Sequence, residues 1–306
     1  MSYLLVLAGF VLLIGGGEAL VRGAVAVAAR LGVSPMVIGL TLVGFGTSTP
    51  ELLTSVQAAL AGSPGVAVGN VVGSNIANIL LIVGIAALLR PMAVAGPAFR
   101  RDGGAMLAVA VLAAALVLLG DVGRLSGGLL LAGLCSYLVF TIRSGAAPAE
   151  DLPAVPMRLV LALPLFAGGL LVTLLGARLL VTGAIDIAAS LGVSEAVIGL
   201  SVVAIGTSLP ELVTSVVAAR RGQGDIALGN ILGSNVFNIL GILGATALIK
   251  PLEIPPQIAL VDIWAMLAAS VALLVMGLTG GRISRGEGGV LLACYAGYMG
   301  WLFAAA

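Results

Sequence analysis

Glu51 and Glu211 stand in sequence almost free of other charge, and each closes the same lead, Gly-Thr-Ser-x-Pro-Glu. Thr47 and Thr207 lie one helical turn before the glutamates, and Ser48 and Ser208 lie three residues before them. Pro50 and Pro210 have no N–H, so the carbonyls of Gly46 and Gly206 lose their helical partners and the ring forces a kink. Inside a membrane such freed carbonyls are tolerated where they line a cavity or bind an ion. About twenty residues on, Asn70, Ser74 and Asn78 repeat at i, i+4, i+8 along one helix face, as do Asn230, Ser234 and Asn238. Every one of these groups is a hard oxygen donor, which suits calcium and alkali ions better than zinc or copper. Two carboxylates would match the charge of one divalent cation.

The residues recur because the chain repeats. Residues 191–244 align with 31–84 at a constant shift of 160 with no gap, and 32 of the 54 positions are identical. A register held this long is an internal duplication. Of 306 residues, 60% are hydrophobic and 9% charged, with a mean hydropathy of +1.23. Soluble domains are about a quarter charged, so the composition is that of an integral membrane protein. A net charge of +1 gives no reason to expect a nucleic-acid partner, and nothing suggests a protein partner or a bound cofactor. Histidine, the common proton shuttle and metal ligand, is absent. Cys135 and Cys294, in apolar runs, read as small packing residues rather than a disulfide.

Apolar runs of about 20 residues can span a bilayer. They predict ten transmembrane helices near 3–29, 35–60, 66–89, 103–120, 126–142, 158–188, 195–220, 226–249, 259–279 and 287–304. The first run lacks a positive leader and carries Glu18 and Arg22, so it reads as a retained helix and not a signal peptide. With the N-terminus outside, ten arginines (30, 90, 100, 101, 143, 158, 220, 221, 282 and 285) fall on the cytoplasmic side, against Arg124 and Lys250 outside. That bias places both termini outside a cell (inner) membrane. Five helices per copy then turn the second copy over, giving an all-α protein of two inverted five-helix repeats. The expected units are 1–142, a short cytoplasmic linker 143–157, and 158–306.

A buried carboxylate costs at least about 2.5–3.5 kcal/mol in a membrane, so one there is functional by default. Pairing with arginine would be the bland explanation, but no basic residue lies within 31–89 or 222–249. For Asn70 and Asn230 the favoured reading is interhelical hydrogen-bond glue, a role open to Ser74 and Ser234 as well. Glu18 and Arg22 read as a local pair, and Asp186, Asp225 and Asp262 as solvated or capping groups at helix ends.

The paired signatures GTSTPELLTS…GNVVGSNIANI and GTSLPELVTS…GNILGSNVFNI resemble the two alpha-repeats of the calcium/cation antiporter superfamily, and most closely a prokaryotic sodium/calcium exchanger. The resemblance implies that Glu51 and Glu211 are calcium ligands shared with sodium, helped by the carbonyls of Thr47 and Thr207. It implies flanking sodium sites from Ser48, Ser208, Ser74, Ser234 and the carbonyls of Gly44 and Ala204, with Asn78 and Asn238 at the centre. Potassium-dependent relatives typically carry Asp where this chain has Asn238, which argues against potassium. The expected activity is therefore antiport of calcium against sodium by alternating access, with the long, glycine-interrupted first and sixth helices as the moving pair. Proton/calcium antiport, or antiport of another divalent cation, is the alternative, since Glu51 and Glu211 could carry protons. A cation channel ranks lower. An enzyme is not expected: there is no HExxH, no Ser–Lys dyad in a helix and no histidine.

Overall fold

Long apolar runs with glycines at seven-residue intervals set the outer pair of helices, and polar, kinked runs set the centre. The computed structural model describes residues 1–94, 96–144, 157–191 and 204–305. Helix α1 is Ser2–Leu31. Helix α2 runs Pro35–Thr47 and Thr49–Leu60, bent by 44° at Ser48. Helices α3 (Pro64–Leu89), α4 (Gly96–Leu118) and α5 (Arg124–Ser144) complete the first half. The second half holds α6 (Leu159–Ser190), α7 (Ala204–Thr207 and Leu209–Arg220), α8 (Gly224–Ile249), α9 (Ile258–Gly280) and α10 (Arg285–Ala305). Among the described residues seven of these are long and apolar enough to cross a membrane, or eight if bent α2 counts as one span. The expected start of the seventh helix, 195–203, lies outside the described residues.

Helix α4 begins seven residues before the expected position 103, at Gly96. Pro97 is harmless in a first turn, where no N–H bond is needed. Arg100 and Arg101 are good helix formers. Arg101 also grips Asp102 through two 2.8 Å hydrogen bonds, burying that carboxylate at 0% exposure. Four of the connections between helices carry two-residue strands: β1 (Met92–Ala93), β2 (Asp121–Val122), β3 (Leu252–Glu253) and β4 (Arg282–Ile283). Strand β1 pairs antiparallel with β4, and β2 with β3. Because β1 precedes α4 and β2 follows it, the two pairings clasp the halves at opposite ends of that helix.

Helices α3 and α8 form the core. In their most apolar stretches 72% and 83% of residues are buried, against 28–39% in the other five spans. The turns that lead into them end in Gly62 (φ 83) and Gly222 (φ 77), repeat mates whose left-handed backbone closes a helix at no steric cost. The next N–H in each turn reaches back to Ala58 O (2.9 Å) or Ala218 O (2.8 Å).

Helices α1 and α6 pack on each other along Gly9, Gly16 and Gly23 against Gly169, Gly176 and Gly183. The backbones touch: a Cβ on Gly16 would stand 2.5 Å from Thr173 N, and one on Gly169 2.3 Å from Leu20 N. Small residues allow such approach where lipid removes any hydrophobic drive between helices. Cys135 and Cys294, expected as packing residues, are both free and exposed.

The seam yields a test with an internal control. Gly16→Ala should destabilise by about 1–3 kcal/mol through overpacking, whereas Gly15→Ala, with nothing within 4 Å of its Cβ, should not. Thermal melting in detergent reads the difference; equal midpoints would remove the seam from the stability of the fold.

Candidate functional site

The local break at Ser48 makes the site possible. Its φ of −82° and ψ of 11° end one helical segment, and Pro50 sits in the first turn of the next. Ser208 repeats the geometry at φ −88° and ψ 7° before Pro210. The break turns each serine out of its own helix and toward the other half. Ser48 Oγ donates to Glu211 Oε1 at 2.8 Å, and Ser208 Oγ donates to Glu51 Oε1 at 3.1 Å. Each glutamate is 1% exposed and receives its serine hydroxyl from the opposite repeat.

The following helices fix the glutamate backbones. Asn70 Nδ2 donates to Glu51 O (3.1 Å) and Ser55 Oγ (2.9 Å); Asn230 Nδ2 donates to Glu211 O (3.4 Å) and Ser215 Oγ (2.9 Å). These asparagines act as the expected glue, and Thr47 Oγ1 adds a crosswise contact to Asn230 Oδ1 at 3.2 Å. Thr47 is fully buried and Thr207, its mate, half-buried. Ser234 Oγ donates to Gly44 O at 3.2 Å, joining two of the residues expected to supply the flanking sodium sites. Ser74 is buried on the α3 face that carries Asn78, and Ala204 opens the first segment of α7.

The carbonyl freed by Pro50 is not left open. Thr49 Oγ1 donates to Gly46 O at 2.9 Å. The second repeat has Leu209 in place of Thr49, so this self-capping belongs to the first repeat alone.

Asn78 and Asn238 each open a π-helical segment, Asn78–Val83 and Asn238–Leu243. Such segments are frequent at functional sites. Asn78 Nδ2 donates to Asn235 Oδ1 (3.1 Å), and Asn238 Nδ2 donates to Asn75 Oδ1 (3.4 Å). Neither Asn75 nor Asn235 stood out in the sequence, because they break the i, i+4 spacing, yet they are repeat mates in register. Asp262 also differs from expectation: it is 8% exposed and accepts from Tyr298 Oη at 2.9 Å, so it is neither solvated nor a cap.

Four buried acceptor oxygens have no hydrogen-bond partner: Glu51 Oε2, Glu211 Oε2, Asn78 Oδ1 and Asn238 Oδ1. Among the described residues the other buried side-chain atoms without one are hydroxyls. Each orphan costs about 1–3 kcal/mol, and carboxylate and amide oxygens can be satisfied only by a donor or a cation. The donor set therefore fits a hard cation. Among the described residues no ion pair involves either glutamate.

The family model for the sodium/calcium exchanger protein matches residues 1–143 and 161–304. Sodium/calcium exchanger MaX1 of Methanosarcina acetivorans is 36% identical over 347 residues, covering 99% of this chain and 98% of its own. Inner membrane protein YrbG of Escherichia coli is 36% identical over 312 residues, covering 97% of this chain and 94% of its own. Among solved structures, the sodium-calcium exchanger NCX_Mj soaked with zero Na+ and Ca2+ superposes with a TM-score of 0.89 at 34% identity, covering 98% of each chain.

If Asn70 and Asn230 hold the glutamate backbones, Asn230→Ala should cost about 1–3 kcal/mol, since Glu211 O and Ser215 Oγ lose a buried donor. Thermal melting measures it, and an unshifted midpoint would contradict that role.

Proposed function

The chain belongs to the sodium/calcium exchanger family, and on that premise we propose that Glu51 and Glu211 form the shared centre through which it exchanges calcium for sodium across a membrane. The observation that carries this reading is the group of four partnerless acceptor oxygens on Glu51, Glu211, Asn78 and Asn238, buried among apolar helices. A calcium ion balances two carboxylates and accepts six to eight oxygens. Ser48, Ser208, Ser74, Ser234, Thr47, Thr207 and the carbonyls of Gly44 and Ala204 supply further oxygens for sodium around the same centre. One calcium or several sodium ions occupy it, never both together. Without ions, two uncompensated buried carboxylates disfavour the passage between outward and inward states. Mutual exclusion and this electrostatic gate suffice for coupled exchange.

Around that centre we read ten spans, two inverted five-helix repeats (1–142 and 158–306) joined by 143–157, and both termini outside the cell membrane. The strand pairings support inversion. Under the 160-residue shift β1 falls on β3 and β2 falls within one residue of β4, yet β1 is clasped to β4 and β2 to β3. Loops that correspond in sequence thus sit at opposite ends of the bundle. Helices α1 and α6 are the moving pair. Their glycine seam unites them, and Glu18 joins α1 to Arg221 in the turn after α7. Glu18 also holds Arg22, as the sequence suggests.

Two measurements test this. In sodium-loaded vesicles calcium uptake should require the outward sodium gradient, and Glu51→Gln should cut it by more than about a hundredfold. Uptake driven by a proton gradient alone would assign the chain to proton coupling, and uptake with no gradient would make it a channel. For topology, with Cys135 and Cys294 replaced, Ser63→Cys should label from outside and its repeat mate Gln223→Cys from inside. Labelling of both from one side would overturn the inversion.

A further inference from the structure

Met106 on α4 and Met266 on α9 lie outside the oxygen centre, yet each ends a hydrogen-bonded chain that leads into it. Both are 1% exposed and they are repeat mates within the shared pattern Asp-x-x-Ala-Met-Leu-Ala. Asn235 Nδ2 donates to Met106 Sδ at 3.5 Å, and Asn75 Nδ2 donates to Met266 Sδ at 3.6 Å.

A thioether sulfur accepts weakly and has no hydrogen to give. It can face only the N–H2 end of an asparagine amide. That choice turns Asn235 Oδ1 toward Asn78 Nδ2 and Asn75 Oδ1 toward Asn238 Nδ2. With their N–H2 ends so engaged, Asn78 and Asn238 keep their Oδ1 atoms for the centre, and these are two of its four partnerless oxygens. A hydroxyl in place of the sulfur would donate or accept with equal ease and leave the whole chain free to reverse. Reversal would aim N–H2 groups, not oxygens, at a cation. Methionine also imposes this direction at little desolvation cost, because it packs as an apolar residue.

We infer that Met106 and Met266 are positioning residues that fix which end of the Asn78 and Asn238 amides faces the transported ion. The inference rests on the proposed ion centre and assigns residues that make no contact with the ion themselves. Two independent chains, Met106–Asn235–Asn78 and Met266–Asn75–Asn238, carry the same polarity from opposite sides.

The test is calcium concentration dependence of sodium-driven uptake, with wild type assayed in the same vesicles. Met106→Leu keeps size and apolarity but removes the acceptor. It should raise the half-saturating calcium concentration about three- to tenfold with the melting temperature nearly unchanged. In an Asn78→Ala background Met106→Leu should add nothing, because the amide it orients is gone. Met266→Leu, whose chain ends at Asn238, should keep its full effect in that background. A merely structural methionine would weaken binding by the same factor with or without Asn78, and that result would overturn the inference. So would unchanged affinity in both leucine variants while wild type exchanges calcium normally. If wild type shows no sodium-dependent uptake, the ion-exchange reading itself falls. Should Met106→Leu not fold, Met266→Leu with Asn238→Ala is the equivalent cycle; failure of both leucine variants to fold would show a packing role and overturn the proposal.

Discussion

Two carboxylates buried without a basic partner govern this molecule. A lone buried charge costs several kcal/mol, and bringing a second beside it adds repulsion. The chain answers with neutral donors: a serine hydroxyl on each glutamate and an asparagine amide on each glutamate backbone. None of these cancels the charge. One oxygen of each carboxylate stays without a partner, and in the proposed centre the transported cations supply the remaining compensation.

The rest of the architecture holds that arrangement from two sides. The break at Ser48 and Ser208 bends the serines across to the other half, and the π-helical segments after Asn78 and Asn238 place two amides at the middle. Helices α3 and α8 are buried most deeply, and the strand pairs clasp the loops at both ends. Helices α1 and α6 hold mainly to each other through bare glycine backbone. Burial is deepest around the oxygens, and the glycine-seamed pair packs outside them.

Much of this arrangement was legible because the duplication writes the same polar residues twice. Glu51 and Glu211 stood out as charges without counterparts, and Asn78, Ser74 and Asn70 through their helical spacing. What escaped were residues whose role depends on a partner far away in sequence. Asn75 and Asn235 broke the spacing, and Met106 and Met266 looked like any apolar packing residue, although the 160-residue register marks all four. Thr49 capping Gly46 O could not be foreseen from Pro50, which says only that a carbonyl is released. Asp102 and Asp262 were hidden for another reason. Proximity to a helix end suggests solvent, whereas Arg101 and Tyr298 let these carboxylates be buried.

The crosswise serine bonds also bear on how such a chain could arise. Ser48 serves Glu211 and Ser208 serves Glu51, so neither half contains a finished site. A half-length ancestor would have held a carboxylate whose hydroxyl had to come from a second molecule, making the site a property of a dimer and of its concentration. Fusion of two copies turns that bimolecular encounter into an intramolecular one, at an effective concentration set by the linker instead of by expression. A fused chain leaves its halves free to differ, as they do at Thr49 opposite Leu209.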